Sequence, residues 1–128
     1  MSPAPKSAES LRDPAAHLPL TTLAFHILLA LADDRRHGYG IIRDIEARTR
    51  GSMRLRSGTL YTAIYRLQDD GLVGECPPER APEHEDRRRR YFEITKLGRQ
   101  VAELEARRLA DLLSTATERA LFPDGVRT

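Results

Sequence analysis

The chain contains a single cysteine, Cys76, and no tryptophan among its 128 residues. One thiol cannot form an intrachain disulfide, which favours a reducing compartment. The most apolar run, Leu23 to Ala32, is about half the ~20 residues that a membrane-spanning helix needs. The N-terminal stretch also lacks the apolar core of a signal peptide. We therefore expect a soluble, cytoplasmic protein.

Motifs of catalysis and metal binding are missing as well. The four histidines are scattered along the chain, and neither a His-Glu-x-x-His pattern nor a glycine-rich phosphate loop occurs. Cys76 has no histidine at a spacing that suggests a catalytic pair. The sequence thus predicts no enzyme, no metal site and no cofactor.

The net charge of +2 is too small to indicate a nucleic-acid partner by itself. Its distribution is more informative, because six arginines and only two acids lie between Arg43 and Arg66. Arg87 to Arg90 form an uninterrupted basic run, whereas the stretch from Leu97 to Leu121 is neutral, with four arginines and four acids. Positive charge concentrated on one part of a domain is typical of a DNA-binding surface.

The most informative segment runs from Ser57 to Val73. Ser57 is predicted as the N-cap of a helix and Gly71 as the residue that ends it. Four apolar residues recur at helical spacing and form one stripe, Leu60, Ala63, Ile64 and Leu67. The opposite face carries hydroxyls and an arginine where an ordinary solvated helix would carry Glu and Lys.

At 100° per residue, Thr59, Thr62 and Arg66 share this outer face. We predict that they contact bases, with Arg66 binding guanine through two guanidinium nitrogens. Phosphate contacts are predicted for Tyr39, Ser57, Tyr61 and Tyr65. Contacts with the flanking DNA backbone or the minor groove are predicted for Arg87, Arg88, Arg89 and Arg90. A surface helix whose tyrosines simply pack is the alternative interpretation of the segment.

The remaining pattern predicts a mainly α chain with a small β-hairpin. Helices are expected from Pro19 or Leu20 to Ala32, from His37 to Thr49, and after an N-cap at Thr95 to Leu121; strands are expected at 72–76 and 88–95. The loop at 77–86 between the strands contains three prolines and four acids. This order of elements is that of a winged helix-turn-helix domain (18–95) followed by one long dimerisation helix (96–122), with flexible tails at 1–17 and 123–128.

The first and last helices predict a homodimer. The first is apolar almost all round, which indicates burial on two sides, and a last helix of roughly 25 residues extends ~37 Å, beyond what so small a domain can cover. The predicted interface comprises Leu20, Leu23, Ile27, Val101, Leu104, Leu109, Leu112, Leu113 and Ala116. A long helix packed only on its own domain is the alternative.

Four segments, taken in this order, make the chain similar to the PadR family of transcriptional regulators, and to its small subgroup with a single C-terminal helix. They are His37-Gly38-Tyr39; Ser57-Gly58-Thr59-Leu60-Tyr61; Arg66-Leu67 with Gly71-Leu72-Val73; and Arg88-Arg89-Arg90-Tyr91-Phe92 with Thr95-Lys96-Leu97-Gly98. The resemblance implies a homodimeric repressor on double-stranded DNA, dimerised through its first and last helices. Two copies in successive major grooves would read an inverted repeat.

The resemblance also implies an effector, because many members respond to small aromatic or hydrophobic compounds bound at or near the dimer interface. Phe25, Leu29, Leu104 and Leu112 are the pocket candidates, and plain dimer core is their alternative role. A repressor without a ligand stays open, and the absence of tryptophan leaves the ligand class open. The rival to a DNA reader is a winged-helix module for protein contacts, which would show no salt-dependent affinity for duplex DNA.

Overall fold

The computed structural model describes residues 12–77 and 89–123. Within these residues a 3₁₀ turn, Pro14–His17, precedes four helices and three short strands. In chain order these are α1 (Thr22–Ala32), β1 (Arg36–His37), α2 (Gly38–Arg48), α3 (Ser57–Asp69), β2 (Val73–Cys76), β3 (Tyr91–Ile94) and α4 (Lys96–Glu118). The mainly α architecture with a small hairpin and a long last helix is confirmed.

The sheet is antiparallel, with β3 in the middle and β1 and β2 at its edges. Val73 pairs with Ile94 and Cys76 with Tyr91, which confirms the hairpin. The sequence pattern does not predict β1, because two residues cannot show an alternation. The conformation of Arg36 and His37 is set by pairing with Phe92 and Tyr91 on β3.

The core lies between the helices and the inner face of the sheet. Its fully buried side chains come from all of these layers, and they include Ile27, Leu28, Ile41, Ile45, Leu60, Ile64, Leu72, Phe92 and Val101. Burial of each large aliphatic side chain contributes about 1.5–3 kcal/mol relative to exposure. Because α3 buries Leu60, Ile64 and Leu67, the opposite face of that helix is left to solvent.

The predicted helix ends agree with the structure at Gly71 and Thr95 and differ from it elsewhere. Gly71 has a φ of +78°, a left-handed conformation that ends α3, and the Thr95 hydroxyl accepts a hydrogen bond from the Gly98 N–H at 2.9 Å. The predicted N-cap at Ser57 is wrong, because Arg56 is the extended residue before α3 and Ser57 is already helical. The N-terminus of α3 therefore has no side-chain cap.

The segment predicted as an N-terminal tail has structure where its residues are described. The Pro14–His17 turn packs on α4, and His17 is buried. Residues 1–11 and 124–128 lie outside the described residues. At the other end α4 stops at Glu118, short of the predicted Leu121.

A buried carboxylate joins α4 to the start of α1. The Glu105 side chain is 2% exposed, accepts a hydrogen bond from the Leu20 N–H at 2.8 Å, and pairs with Arg108. The hydrogen bond from Arg108, assisted by the one from Leu20, holds the pKa of Glu105 below its usual range. The ionised form is therefore the one that the folded chain favours.

We predict that Glu105→Gln destabilises the fold at pH 7 by about 1–3 kcal/mol, because a bond to a charged acceptor is lost while its partners stay in place. A carboxyl whose pKa is lowered on folding stabilises above the unfolded pKa of about 4.3 and loses this contribution as the pH falls through the folded value. The variant should therefore lose less free energy of unfolding than the wild type between pH 7 and about pH 3. Urea unfolding followed by circular dichroism measures both effects.

The matched control is Glu103→Gln, an exposed carboxylate on the same helix. It should leave the stability within about 0.5 kcal/mol of the wild type. Equal stability profiles for the two variants would contradict the assignment to Glu105.

Candidate nucleic-acid interface

The outer face of α3 has the composition that the sequence indicated. Thr59, Thr62 and Arg66 are all exposed. The Thr62 hydroxyl donates to the Gly58 carbonyl at 2.9 Å, so its methyl group and its lone pairs are what it can offer to a ligand. The first acid on the helix is Asp69 in its last turn. The N-terminal part of α3 is therefore the part that can approach a polyanion, and the base contacts of these residues stay a prediction.

The start of α2 lies next to the end of the hairpin and carries a layered set of side chains. His37 caps α2, since its Nδ1 accepts from the Gly40 N–H at 3.0 Å. Its ring is parallel to that of Tyr39, with centroids 6.4 Å apart, and the guanidinium carbon of Arg43 lies 5.7 Å from the Tyr39 centroid on the same helix. Tyr39, predicted as a phosphate ligand, is 59% exposed.

Arg89 is placed directly against His37. Its Nη1 lies 3.1 Å from His37 Nε2. A guanidinium can only donate, so Nε2 accepts in this contact, and it competes with Nδ1, which accepts from the Gly40 N–H, for the one lone pair of a neutral ring. Arg89 is exposed, and its guanidinium has further N–H donors that a phosphate oxygen can accept from.

Tyr61 serves the packing of the domain. It is partly buried, its ring meets Phe92 edge-on with centroids 6.2 Å apart, and it lies 5.9 Å from the ring of Tyr65. Its Oη lies so close to Gly38 that a Cβ at that position would be 2.4 Å away. A phosphate contact through this hydroxyl stays a prediction, and it would have to be made from a position against Gly38.

Arg90 is hydrogen-bonded to side chains of its own chain at the surface, where its side chain is 49% and that of Glu75 46% exposed. Its Nε and Nη2 donate to the two carboxylate oxygens of Glu75 at 3.1 and 3.0 Å, and its Nη1 donates to Tyr65 Oη at 3.1 Å. The hydrogen bond from Arg90 holds the pKa of Glu75 below its usual range. Sequence reasoning missed Glu75. The available signal was its place on β2, near Arg90 across the hairpin.

Two of the predicted DNA-contacting residues, Arg87 and Arg88, and most of the 77–86 loop lie outside the described residues. Ser57 is exposed at the start of α3. Beside it, the connection from α2 adds three exposed arginines, Arg50, Arg54 and Arg56. The exposed basic residues thus surround the outer face of α3, as the charge distribution indicated.

The predicted dimer interface divides into two groups. Ile27 and Val101 are fully buried in the core of their own domain, which corrects the assignment of these two residues to a surface. Leu20, Leu23, Leu104 and Ala116 are partly buried, and Leu109, Leu112 and Leu113 are 40%, 55% and 38% exposed. The apolar stripe of α4 is thus covered by its own domain at the N-terminal end and open to solvent at the C-terminal end.

A groove of about 880 Å³ lies between α1, the 3₁₀ turn and α3. Its apolar lining includes Leu20, just before α1, and Leu23 on α1. Thr59, Thr62 and Arg66 on the outer face of α3 line it as well. The predicted effector residues, Phe25, Leu29, Leu104 and Leu112, do not line it. Phe25 and Leu104 are partly buried and the other two exposed, so an effector pocket at these residues stays a prediction.

Metal binding and membrane spanning find no support in the part of the chain that the structure describes. Its acidic, histidine and cysteine side chains form no group of three or more that could hold a metal ion. No helix within 12–77 or 89–123 combines the length and the apolar character needed to cross a membrane.

Comparison with known proteins identifies a family and a relative. The model of the "Transcriptional regulator PadR-like family" matches residues 27–104. An uncharacterized 37.1 kDa protein in transposon TN4556 of Streptomyces fradiae is 39% identical over 100 residues, which are 78% of this chain and 26% of that protein. The chain therefore spans about a quarter of the length of this curated relative.

Solved structures share the fold at lower identity. A transcriptional regulator from Clostridium thermocellum is 20% identical, with 88% of this chain and 95% of that one covered and a TM-score of 0.61. A PadR family transcription regulator from Clostridium difficile is also 20% identical, over 78% and 99% of the two chains, with a TM-score of 0.63. Bacillus subtilis PadR in complex with operator DNA is 18% identical, over 65% and 46%, with a TM-score of 0.52.

We predict that Gly38→Ala destabilises the fold by about 1–3 kcal/mol, because the new methyl group collides with a Tyr61 ring that Phe92 and Tyr65 hold in place. Gly40→Ala is the matched control in the same helical turn. Its Cβ would lie 3.5 Å from the nearest atom of His37, an ordinary contact, and alanine is favoured over glycine in a helix by up to ~1 kcal/mol. Urea unfolding should give opposite signs for the two variants, and equal signs would contradict the packing described for Tyr61.

Proposed function

Since the chain belongs to the PadR-like family of transcriptional regulators, which are not enzymes, we propose that it is a homodimeric repressor that reads an inverted-repeat operator through α3. The observation that carries this proposal is the outer face of α3. Thr59, Thr62 and Arg66 are exposed there, without an acid before Asp69. Arg54 and Arg56, which directly precede the helix in the chain, are exposed as well.

The contacts to DNA divide into two kinds in this proposal. Arg66 and the two threonines meet base edges in the major groove and supply sequence preference. Tyr39 and Arg89, which lie together around His37, meet phosphates and fix the register of α3 in the groove. Bacillus subtilis PadR, which has the same fold, was solved in complex with operator DNA, and this supports DNA binding by this chain.

The dimer is supported by the open half of the α4 stripe. Leu109, Leu112 and Leu113 follow the buried residues of α4 on the same side of the helix, and they lie beyond the reach of their own domain. We propose that the exposed leucines of one protomer pack on those of the other. The groove beside α1 stays uncovered in this dimer, because Thr59, Thr62 and Arg66 are among its lining residues. Two copies of α3 would then enter major grooves about 34–36 Å apart.

We also propose that a small hydrophobic or aromatic effector releases the dimer from DNA. A ligand can shift the angle between the two winged domains only if it binds the two dimer states unequally. We propose that such a ligand binds at Phe25 and Leu29 of α1 and at Leu104 and Leu112 of α4. The competing function is that of a winged-helix module for protein contacts. Such a module would have the same fold but would bind no operator.

The test of DNA reading is the binding of purified protein to a labelled duplex from its own upstream region, titrated over salt and against competitor DNA. Specific binding that weakens steeply with salt supports the proposal. Flat or absent binding at low salt would favour the protein-contact function.

We predict that Arg66→Ala weakens operator binding by about 1–3 kcal/mol and relaxes the preference at one base pair of each half-site, because one bidentate base contact is lost. Binding to a panel of operators substituted at single positions measures both effects. The control is Arg107→Ala, an exposed arginine on α4, which should change neither affinity nor preference. An unaltered preference in the Arg66 variant would remove that residue from base reading.

We predict that Leu112→Glu converts the dimer to a monomer, because a carboxylate placed in an apolar interface must be desolvated without a partner. Light scattering coupled to size-exclusion chromatography measures the mass. Ser114→Glu adds the same charge to another exposed position of α4 and should leave the dimer intact, since residues two apart face different sides of a helix. A monomeric wild type would refute the proposed homodimer, and a dimeric Leu112 variant would place its interface elsewhere.

A further inference from the structure

Three side chains from three parts of the chain meet where the hairpin adjoins α3. They are Tyr65 on α3, Glu75 on β2 and Arg90 immediately before β3, and we call them the clamp. Arg90 donates three hydrogen bonds, two to Glu75 and one to Tyr65 Oη. The guanidinium carbon also lies 5.7 Å from the centroid of the Tyr65 ring and 5.8 Å from that of Phe92.

The strand register explains why these groups meet. Glu75 is paired with Phe92, and Arg90 precedes Phe92 by two residues, so all three side chains lie on the same face of the sheet. That face is the one turned toward α3, because Phe92 contacts Tyr61. Arg90 therefore closes the edge of the core between the sheet and the helix that is proposed to read DNA.

The clamp occupies most of the hydrogen-bond donors through which Arg90 could bind a phosphate. Three of the five N–H donors of the guanidinium are committed to Glu75 and Tyr65, and its positive charge is matched by the Glu75 carboxylate. The Nη1 of the neighbouring Arg89 contacts the imidazole of His37 rather than a carboxylate. Two adjacent arginines of the basic run thus have different surroundings.

We propose that Arg90 is a positioning residue that fixes the hairpin against α3 and leaves phosphate binding to Arg89; this rests on the DNA binding proposed above. Isolated surface ion pairs contribute little. The clamp differs in being bidentate and in stacking the guanidinium on two rings, which are the features that distinguish arginine from lysine.

The decisive variant is Glu75→Gln, because the two possible roles of Arg90 predict opposite signs. If Arg90 holds the hairpin, loss of its carboxylate partner loosens the hairpin, and operator affinity falls by about twofold to fivefold. If Arg90 binds phosphate, removal of the competing carboxylate frees it, and affinity rises. Removal of the Glu75 charge also reduces its long-range repulsion of DNA. The comparison is therefore made at about 0.15 M salt, where a Debye length of about 8 Å limits that repulsion. A rise in affinity would overturn the proposal.

The matched arginine pair tests the same point through salt dependence. Log K falls as log salt rises. Arg89→Gln should make this fall shallower, reducing the magnitude of the slope by about 1, because one phosphate contact is lost. Arg90→Gln should weaken binding with the slope unchanged. The double variant with Glu75→Gln should be no weaker than Arg90→Gln alone, since both changes break one contact. A shallower slope with Arg90→Gln would make Arg90 a phosphate ligand.

A measurement on the free protein separates this proposal from the proposed function. In nuclear magnetic resonance spectra, the Nε–Hε signal of Arg90, assigned by its loss in Arg90→Lys, should exchange with water more slowly than that of Arg66. Glu75→Gln should abolish this protection and speed amide exchange in 91–94. Protection in a wild type that binds no DNA would leave the clamp standing and defeat the proposed function; an unprotected Arg90 Hε beside intact operator binding would defeat the clamp alone.

Discussion

The packing of the Tyr61 ring between Gly38 and Phe92 is the contact on which the proposed DNA-binding surface depends. Tyr61 belongs to α3, Gly38 begins α2, and Phe92 is the fully buried centre of β3. One ring therefore sets the distance between the two helices of the helix-turn-helix and the sheet that carries the hairpin. Two of the segments that make the chain resemble its family, His37-Gly38-Tyr39 and Ser57 to Tyr61, meet at this contact. Their joint presence has a steric reason, since any side chain larger than hydrogen at Gly38 would occupy the place of the ring.

The long helix α4 shows how one continuous apolar pattern is divided between folding and association. Its N-terminal half packs Val101 into the domain and places Glu105 beneath the start of α1. Its C-terminal half continues the same stripe through Leu109 and Leu112, which the described part of the chain leaves open to solvent. A hydrophobic pattern in a sequence states that a residue will be covered, and it does not state by which chain. This is why Ile27 and Val101 were assigned to an interface although they belong to the core.

The sequence predicted the parts of the fold that follow from local periodicity and local chemistry. The inner stripe of α3, its end at Gly71 and the cap at Thr95 are of this kind, because each depends on residues within one or two turns. The strand β1 depends on contacts with β3, far away in the chain. The capping of α2 by His37 is local, but histidine is not among the residues preferred at an N-cap. The predicted N-cap at Ser57 is wrong by one residue. The tertiary structure holds Arg56 extended, and Ser57 is already helical. The exposed positions of Thr59, Thr62 and Arg66 could be derived from helical geometry, whereas the surroundings of Arg90 could not.

Counting basic residues along the chain therefore overstates the charge that faces DNA. Arg90 is neutralised by Glu75, and Arg108 by Glu105, while Arg48 is held by Asp44 at 2.8 Å. The exposed arginines around α3 and Arg89 carry what remains. The net charge of +2 already includes these acids, so the salt-dependent part of the proposed affinity depends on where the exposed arginines lie. In the proposed complex, sequence discrimination comes from the few side chains on the outer face of α3, and their orientation is held by the packing of Tyr61 and by the contacts of Arg90.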